Sequence, residues 1–211
     1  MITILYFKAD KLWGEQFFDN AFSSLPKNEQ IKIIQYKDKK ERQLRITGKL
    51  MLQQLLYDFD MATEYCLNDI KYDVLNKPYL NESFYFSIAH SENFVICAAA
   101  VKNSIGIDVE KIKPINVLLL KDIFTSEEWL TIELKNYDLN YFYYLWTRKE
   151  AVLKAIGKGI FEEMGKIDVL KDKVMYEAQS YYVNDISINA DYKIAIASNR
   201  KETFEVREFV V

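Results

Sequence analysis

Two pairs of segments repeat along the chain at nearly one offset, and that repeat limits the folds open to it. "TGKLMLQQLL" starts at Thr47 and "TRKEAVLKAI" at Thr147, 100 positions further on. "FVICAAAV" starts at Phe94 and "YKIAIAS" at Tyr192, 98 positions further on. The first pair reads as an amphipathic helix and the second as an apolar strand. Duplication of an αβ unit is expected, which gives an α/β (α+β) protein of two similar halves, residues 1–104 and 105–211. Residues 105–110 then fall at the seam between the halves, where ligand sites often form.

The remaining pattern fits that plan. Residues 1–7 read as a strand, residues 13–22 as a helix, and "LPKNEQ" restarts a helix with Pro26 near its first turn. Residues 37–58 read as one long helix with Leu44, Thr47, Leu50 or Met51, and Leu55 along its apolar stripe. "FYFSIAHSENFVICAAAV" reads as two strands around a polar turn, Ser91–Asn93. "FTSEEW" starts a helix, with Thr125 or Ser126 as cap and Glu128 completing a capping box. "YFYYLWTRKEAVLKAIGKGI" forms the second long helix and stops at Gly157 or Gly159. Strands are expected over 174–183, 185–189, 192–198 and 203–210.

Half of the residues are hydrophobic, among them 15 Tyr and 13 Phe, enough to build packed cores rather than a disordered chain. The 31 acidic residues outnumber the 28 basic ones, so net charge is −3 and a sequence-independent nucleic-acid binder is not expected. No leader-like segment opens the sequence and no long apolar run spans a membrane, so a cytoplasmic protein without a membrane partner is expected. Cys66 and Cys97 follow no metal spacing.

The chemistry concentrates in "GIDVEKIKP", Gly106–Pro114. On a strand, Asp108 and Glu110 share a face and their charges repel. Such a pair is a solvated surface, a proton-sharing dyad, or the holder of a cation. Oxygen ligands suit Mg²⁺, Ca²⁺ or Mn²⁺, and with one histidine a zinc site is poorly supplied. On the second long helix Trp146, Glu150 and Lys154 are spaced four apart and share a face. Glu150 is a candidate third carboxylate, or half of an ordinary surface ion pair with Lys154. His90 ends the "FSIAH" strand, and "NKP" sets Lys77 on a turn. Lys37, Lys39, Lys40, Arg42, Arg45 and Lys49 make the first long helix basic, either as a solvated face or as a grip for a polyphosphate.

In order, NKP, F-S-I-A-H-S, G-I-D-V-E-K and W-T-R-K-E-A-V-L-K-A-I-G-K-G resemble the motifs of the 4′-phosphopantetheinyl transferases, and the two-fold, Sfp-like subtype fits the repeat. That resemblance implies a single-chain pseudo-dimer acting as a monomer, with its site between the halves. It implies transfer of 4′-phosphopantetheine from coenzyme A to a serine hydroxyl of an acyl or peptidyl carrier protein, releasing adenosine 3′,5′-bisphosphate. It assigns Asp108, Glu110 and Glu150 to Mg²⁺ (or Mn²⁺), with Asp108, Glu150 and Lys154 in catalysis. Coenzyme A would be held by Lys77, His90, Lys154 and the backbone of Ala89, and its 3′-phosphate by Arg42, Arg45 and Lys49. Three positions depart from the pattern: Ala89 replaces a serine, Asn76 a glycine, and Gln53 or Gln54 a basic residue later in the first long helix. The alternatives are another Mg²⁺-dependent enzyme acting on a diphosphate, or a non-catalytic module that binds coenzyme A or a carrier.

After the acidic strand, Val117–Leu120 places four apolar residues in a row. Successive helical side chains point about 100° apart, so four cannot all face one core. The segment is either a surface for the carrier protein or a helix buried between the halves.

Overall fold

Strand β1 (Ile2–Lys8) begins a computed structural model that describes residues 1–73, 77–81, 83–157 and 164–210. Three helices follow: α1 (Glu15–Ser24), α2 (Lys27–Ile34) and α3 (Lys39–Asp58). Asp38 caps α3 by accepting from the Lys40 amide at 2.8 Å, which is why the helix starts two residues later than its basic composition implies. A small hairpin, β2 (Lys71–Tyr72) and β3 (Pro78–Tyr79), leads into β4 (Phe84–Ser91) and β5 (Phe94–Val101).

The second half opens with β6 (Ile105–Lys111) and a 3₁₀ segment, Val117–Ile123. Helix α4 (Ser126–Leu134) starts with the expected capping box between Thr125 and Glu128. Helix α5 (Leu139–Ile156) is capped by Asp138 and ends at Gly157, whose φ of +83° favours glycine. Gly159 lies outside the described residues. The expected strand over 174–183 is instead a hairpin, β7 (Lys173–Tyr176) and β8 (Gln179–Asp185), because Glu177 turns the chain at φ +52°. Residues 186–189 are not a strand. Asn189 accepts the Asp191 amide on its side chain and the Tyr192 amide on its carbonyl, a local turn that competes with extension. Strands β9 (Tyr192–Ser198) and β10 (Phe204–Glu208) complete the chain.

The duplication is legible in the topology. One sheet has the order β10-β1-β5-β4 and the other β6-β9-β8-β7, so β1-β5-β4 matches β6-β9-β8, antiparallel throughout. Thr47 and Thr147, first residues of the repeated helical segment, both donate their hydroxyls to the carbonyl four residues earlier. Helices α1–α3 cover one sheet and α4–α5 the other, each over its own apolar cluster. A third cluster, including Ile4, Ile96, Ile107 and Ile196, joins the sheets to each other. β10 leaves the second half and pairs in parallel with β1, from Ile2↔Phe204 to Tyr6↔Glu208.

At the seam, edge strands β4 and β6 are stitched by side chains. Ser87 Oγ accepts the Ile107 amide and Ser91 Oγ the Lys111 amide, both at 3.1 Å. Cys66 and Cys97 are both free thiols. Among the described residues no helix is long and apolar enough to cross a membrane.

Candidate active site

Alternation along β6 sends Ile105, Ile107 and Val109 into the cluster between the sheets. Gly106, Asp108 and Glu110 therefore face α5. Gly106 is what lets the helix come close. A Cβ there would lie 2.1 Å from the Ala151 carbonyl oxygen and 2.4 Å from the Ala155 nitrogen. The close approach brings Glu150 and Lys154 onto the acidic strand.

Lys154 Nζ donates to Asp108 Oδ1 at 2.7 Å and to the Ile107 carbonyl at 3.2 Å. Asp108 is 4% exposed, and its Oδ2 is buried without a hydrogen-bond partner among the described residues. Glu110 accepts from Ser91 Oγ at 2.8 Å. Burial, then the negative charge of Asp108, pushes the Glu110 carboxyl above its ordinary range. The same two causes push Glu150 up to about 7, with Glu110 adding to the push and Lys154 opposing it. Burial alone would lower Lys154. Asp108, Glu150 and Glu110 outweigh it and hold the amine above its ordinary range. Among the described residues, no three acidic, histidine or cysteine side chains stand in a ready-made metal geometry. Lys154, not a third carboxylate, is the partner Asp108 has.

His90 sits across the seam on β4. Its Nε2 lies 3.6 Å from Glu41 Oε1. Burial lowers its pKa; Glu41 opposes, while Arg45 and Lys154 add to the lowering, so the ring feels both halves of the molecule. Beside it lies a cleft of about 260 Å³ whose lining includes Lys32, Tyr36, Arg45, Lys49, Tyr72 and His90. Arg45 stacks over the Tyr36 ring at 3.7 Å and pairs with Glu41 at 2.8 Å. Lys49 pairs with the buried Glu29 at 3.0 Å, and Glu29 also accepts from the Tyr72 hydroxyl at 2.8 Å.

The expected site residues thus fall into groups. Asp108, Glu110, Glu150, Lys154 and His90 converge at the seam, and Arg45 and Lys49 line the adjoining cleft. Lys77, held on its turn by Asp73, donates to the Lys154 carbonyl at 2.5 Å, so it braces the end of α5. Asn76 lies outside the described residues. Arg42 donates to the Tyr36 and Ile34 carbonyls, closing the end of α2 rather than lining the cleft. The Ala89 methyl is buried in the cluster between the sheets.

Sequence reasoning missed Ser91, Glu41, Glu29 and Tyr72. Ser91 carried a signal, since a hydroxyl ending an edge strand two residues past Ala89 is a natural partner for the neighbouring edge. The other three come from distant segments and left no local trace. Arg148 and Lys149, beside Glu150, have structural partners instead. Arg148 pairs with Asp172 at 2.9 Å and Asp185 at 2.7 Å. Lys149, fully buried, pairs with Glu128 at 2.6 Å.

Fold and site together define a protein of two fused αβ halves with a carboxylate–lysine cluster at their seam and a basic, aromatic cleft beside it. Two family models divide the chain at that seam. The model for the N-terminal part of 4′-phosphopantetheinyl transferases matches residues 13–102, and the model for the 4′-phosphopantetheinyl transferase superfamily matches residues 104–197. The chain belongs to the 4′-phosphopantetheinyl transferase superfamily.

Individual relatives agree. The chain is 29% identical to the 4′-phosphopantetheinyl transferase gsp of Aneurinibacillus migulanus, over 76% of this chain and 68% of the relative. It is 31% identical to the 4′-phosphopantetheinyl transferase Sfp of Bacillus subtilis strain 168, over 54% of each. It is 26% identical to the 4′-phosphopantetheinyl transferase ffp of Bacillus subtilis, over 86% of this chain and 84% of the relative. The match to Sfp spans little more than half of that protein's length.

Proposed function

We propose that the protein transfers the 4′-phosphopantetheine arm of coenzyme A to a serine hydroxyl of an acyl or peptidyl carrier protein. The serine oxygen bonds to the phosphorus that carries the arm, the diphosphate bond breaks, and adenosine 3′,5′-bisphosphate leaves. The observation that carries this reading is the meeting of Asp108, Glu110, Glu150 and Lys154 beside a basic, aromatic cleft.

The acidic cluster fits a hard divalent cation. Its donors are carboxylate oxygens, Asp108 Oδ2 is buried and unpartnered among the described residues, and burial followed by the charge of Asp108 raises Glu110 and Glu150. Asp108, Glu110 and Glu150 would hold Mg²⁺ or Mn²⁺. When bound, such an ion neutralises charge on the reacting diphosphate. Glu150 accepts the serine proton, directly or through a water, and a carboxyl that titrates near neutrality suits that work. Lys154 offers positive charge and a proton to the departing phosphate. Arg45, Lys49 and His90 bind the phosphates of coenzyme A, with Lys77 bracing the floor. Arg42 acts through the end of α2, and Ala89 contributes only its backbone.

On this reading residues 1–104 hold the nucleotide end of coenzyme A and residues 105–211 carry the chemistry. One chain supplies both, so the protein works as a monomer, in the cytoplasm where its carrier is made. Leu118 and Leu119, 60% and 80% exposed, give the carrier an apolar contact, while Val117 is buried.

The test is mass spectrometry of an unmodified carrier protein incubated with the enzyme, coenzyme A and Mg²⁺. Gain of the phosphopantetheine mass on the carrier serine is expected. Coenzyme A consumed without that gain would indicate a diphosphate hydrolase. Coenzyme A left intact would indicate a binding module. Either outcome overturns the reading.

A further inference from the structure

We propose that Lys154 is an internal competitor of the divalent cation for Asp108, and that the arriving cation frees Lys154 to meet the substrate's phosphate. The inference rests on the cation reading above. Among the described residues, Asp108 is a buried carboxylate with one partner, the Lys154 ammonium on Oδ1, while Oδ2 has none. A buried carboxylate needs a counter-charge, and Lys154 supplies it. A dication bound to the same carboxylate would face that ammonium across one carboxyl group, where like charges repel strongly in a buried setting. Each therefore weakens the other's hold on Asp108.

Lys154 is built to leave. Its side chain is 27% exposed, against 6% for that of Asp108, so it reaches solvent where Asp108 does not. Its second contact, to the Ile107 carbonyl, is a single longer bond of 3.2 Å. Its backbone is fixed, because Lys77 holds the Lys154 carbonyl and Gly157 ends the helix one turn later. Only the side chain needs to swing. The same lysine then serves in two successive positions: counter-charge to Asp108 first, and partner of the phosphate after the cation binds. An order of binding follows, with the divalent ion ahead of the phosphate-bearing substrate.

The experiment measures Mn²⁺ affinity of the full-length protein, without coenzyme A, by calorimetry or by the loss of the free-ion paramagnetic resonance signal. Lys154→Met should bind Mn²⁺ on the order of tenfold tighter than wild type, the weight of one charge-assisted contact. Lys154→Gln keeps a donor for Asp108 and removes the charge, so it should also tighten binding and covers the case in which the methionine variant fails to fold. Lys113→Met removes a charge felt by Glu110 but not in contact with Asp108, and should change affinity by no more than about twofold. Asp108→Asn should abolish binding. Unchanged or weaker binding by both Lys154 variants, with Asp108→Asn still abolishing it, overturns the competition and leaves the cation site standing. Equal tightening by Lys113→Met reduces the effect to bulk charge and overturns the proposal too. Mn²⁺ binding that Asp108→Asn leaves intact overturns the cation site and the competition together.

Discussion

Replacing Glu150 with glutamine should stabilise this protein at neutral pH while removing its chemistry. In the fold the carboxyl titrates near 7, against 4.5 when free, because burial and Asp108 disfavour its ionised form. That gap is worth about 3 kcal/mol. Below about pH 4.5 the folded and unfolded chains both carry the proton, and the stabilising contribution of this raised group is fully present. Between about 4.5 and 7 the unfolded chain releases the proton while the folded one keeps it, so stability falls as pH rises. Above about 7 the contribution is gone. Glutamine resembles the protonated acid and does not titrate. Urea denaturation with a chelator present, from about pH 4.5 to 8, should give overlapping stabilities at the acid end. The variant should be more stable by about 3 kcal/mol at the alkaline end. Saturating Mn²⁺ should restore wild-type stability but not that of the variant, since only an ionised ligand gains from the ion. A difference that stays constant with pH, or a wild type more stable than the variant at pH 8, would refute the reasoning.

Three further outcomes follow from the packing. Gly106→Ala should lower stability by about 1–3 kcal/mol and weaken Mn²⁺ binding, since its methyl meets helix backbone rather than a flexible side chain; thermal unfolding and calorimetry read the two effects. Lys149→Met should destabilise by about 3–5 kcal/mol in urea by leaving Glu128 buried without its cation, and adding Glu128→Gln should recover part of the loss. Leu119→Ser should change stability by no more than about 0.5 kcal/mol and leave coenzyme A affinity intact, but raise the KM for the carrier protein.

What could be read ahead of the structure was what local pattern encodes. The repeated helix and strand appear at equivalent places in two matching sheets. The Thr125–Glu128 capping box forms as spaced, and the period of two in G-x-D-x-E puts its acidic residues on one face. The errors have local causes as well. One long strand was expected where a single positive-φ residue, Glu177, makes a hairpin, and a strand was expected where Asn189 ties a turn. Tertiary choices left no such trace. Arg42, Arg45 and Lys49 form one basic run in sequence, yet one closes a helix end, one stacks on tyrosine and one pairs with a buried glutamate. Lys154 bears on Asp108 because Gly106 lets a helix nearly touch a strand, a spacing that neither segment states alone.

The pairing of β10 with β1 has a consequence for synthesis. Ile2 and Phe204 are partners at opposite ends of the chain, 202 positions apart. As the polypeptide leaves the ribosome, the first sheet can assemble β1, β5 and β4, but one flank of β1 waits until Phe204–Glu208 have emerged. An open strand edge recruits other strands, so the newborn first half is vulnerable to mispairing during that interval. A contact so distant in sequence also forms late, because its loop must close before it contributes. Cutting the gene between the halves would give a first piece lacking the strand that finishes its sheet, and a second piece carrying that strand with nothing to bind it. The two fragments should misbehave when expressed apart and recover when made together.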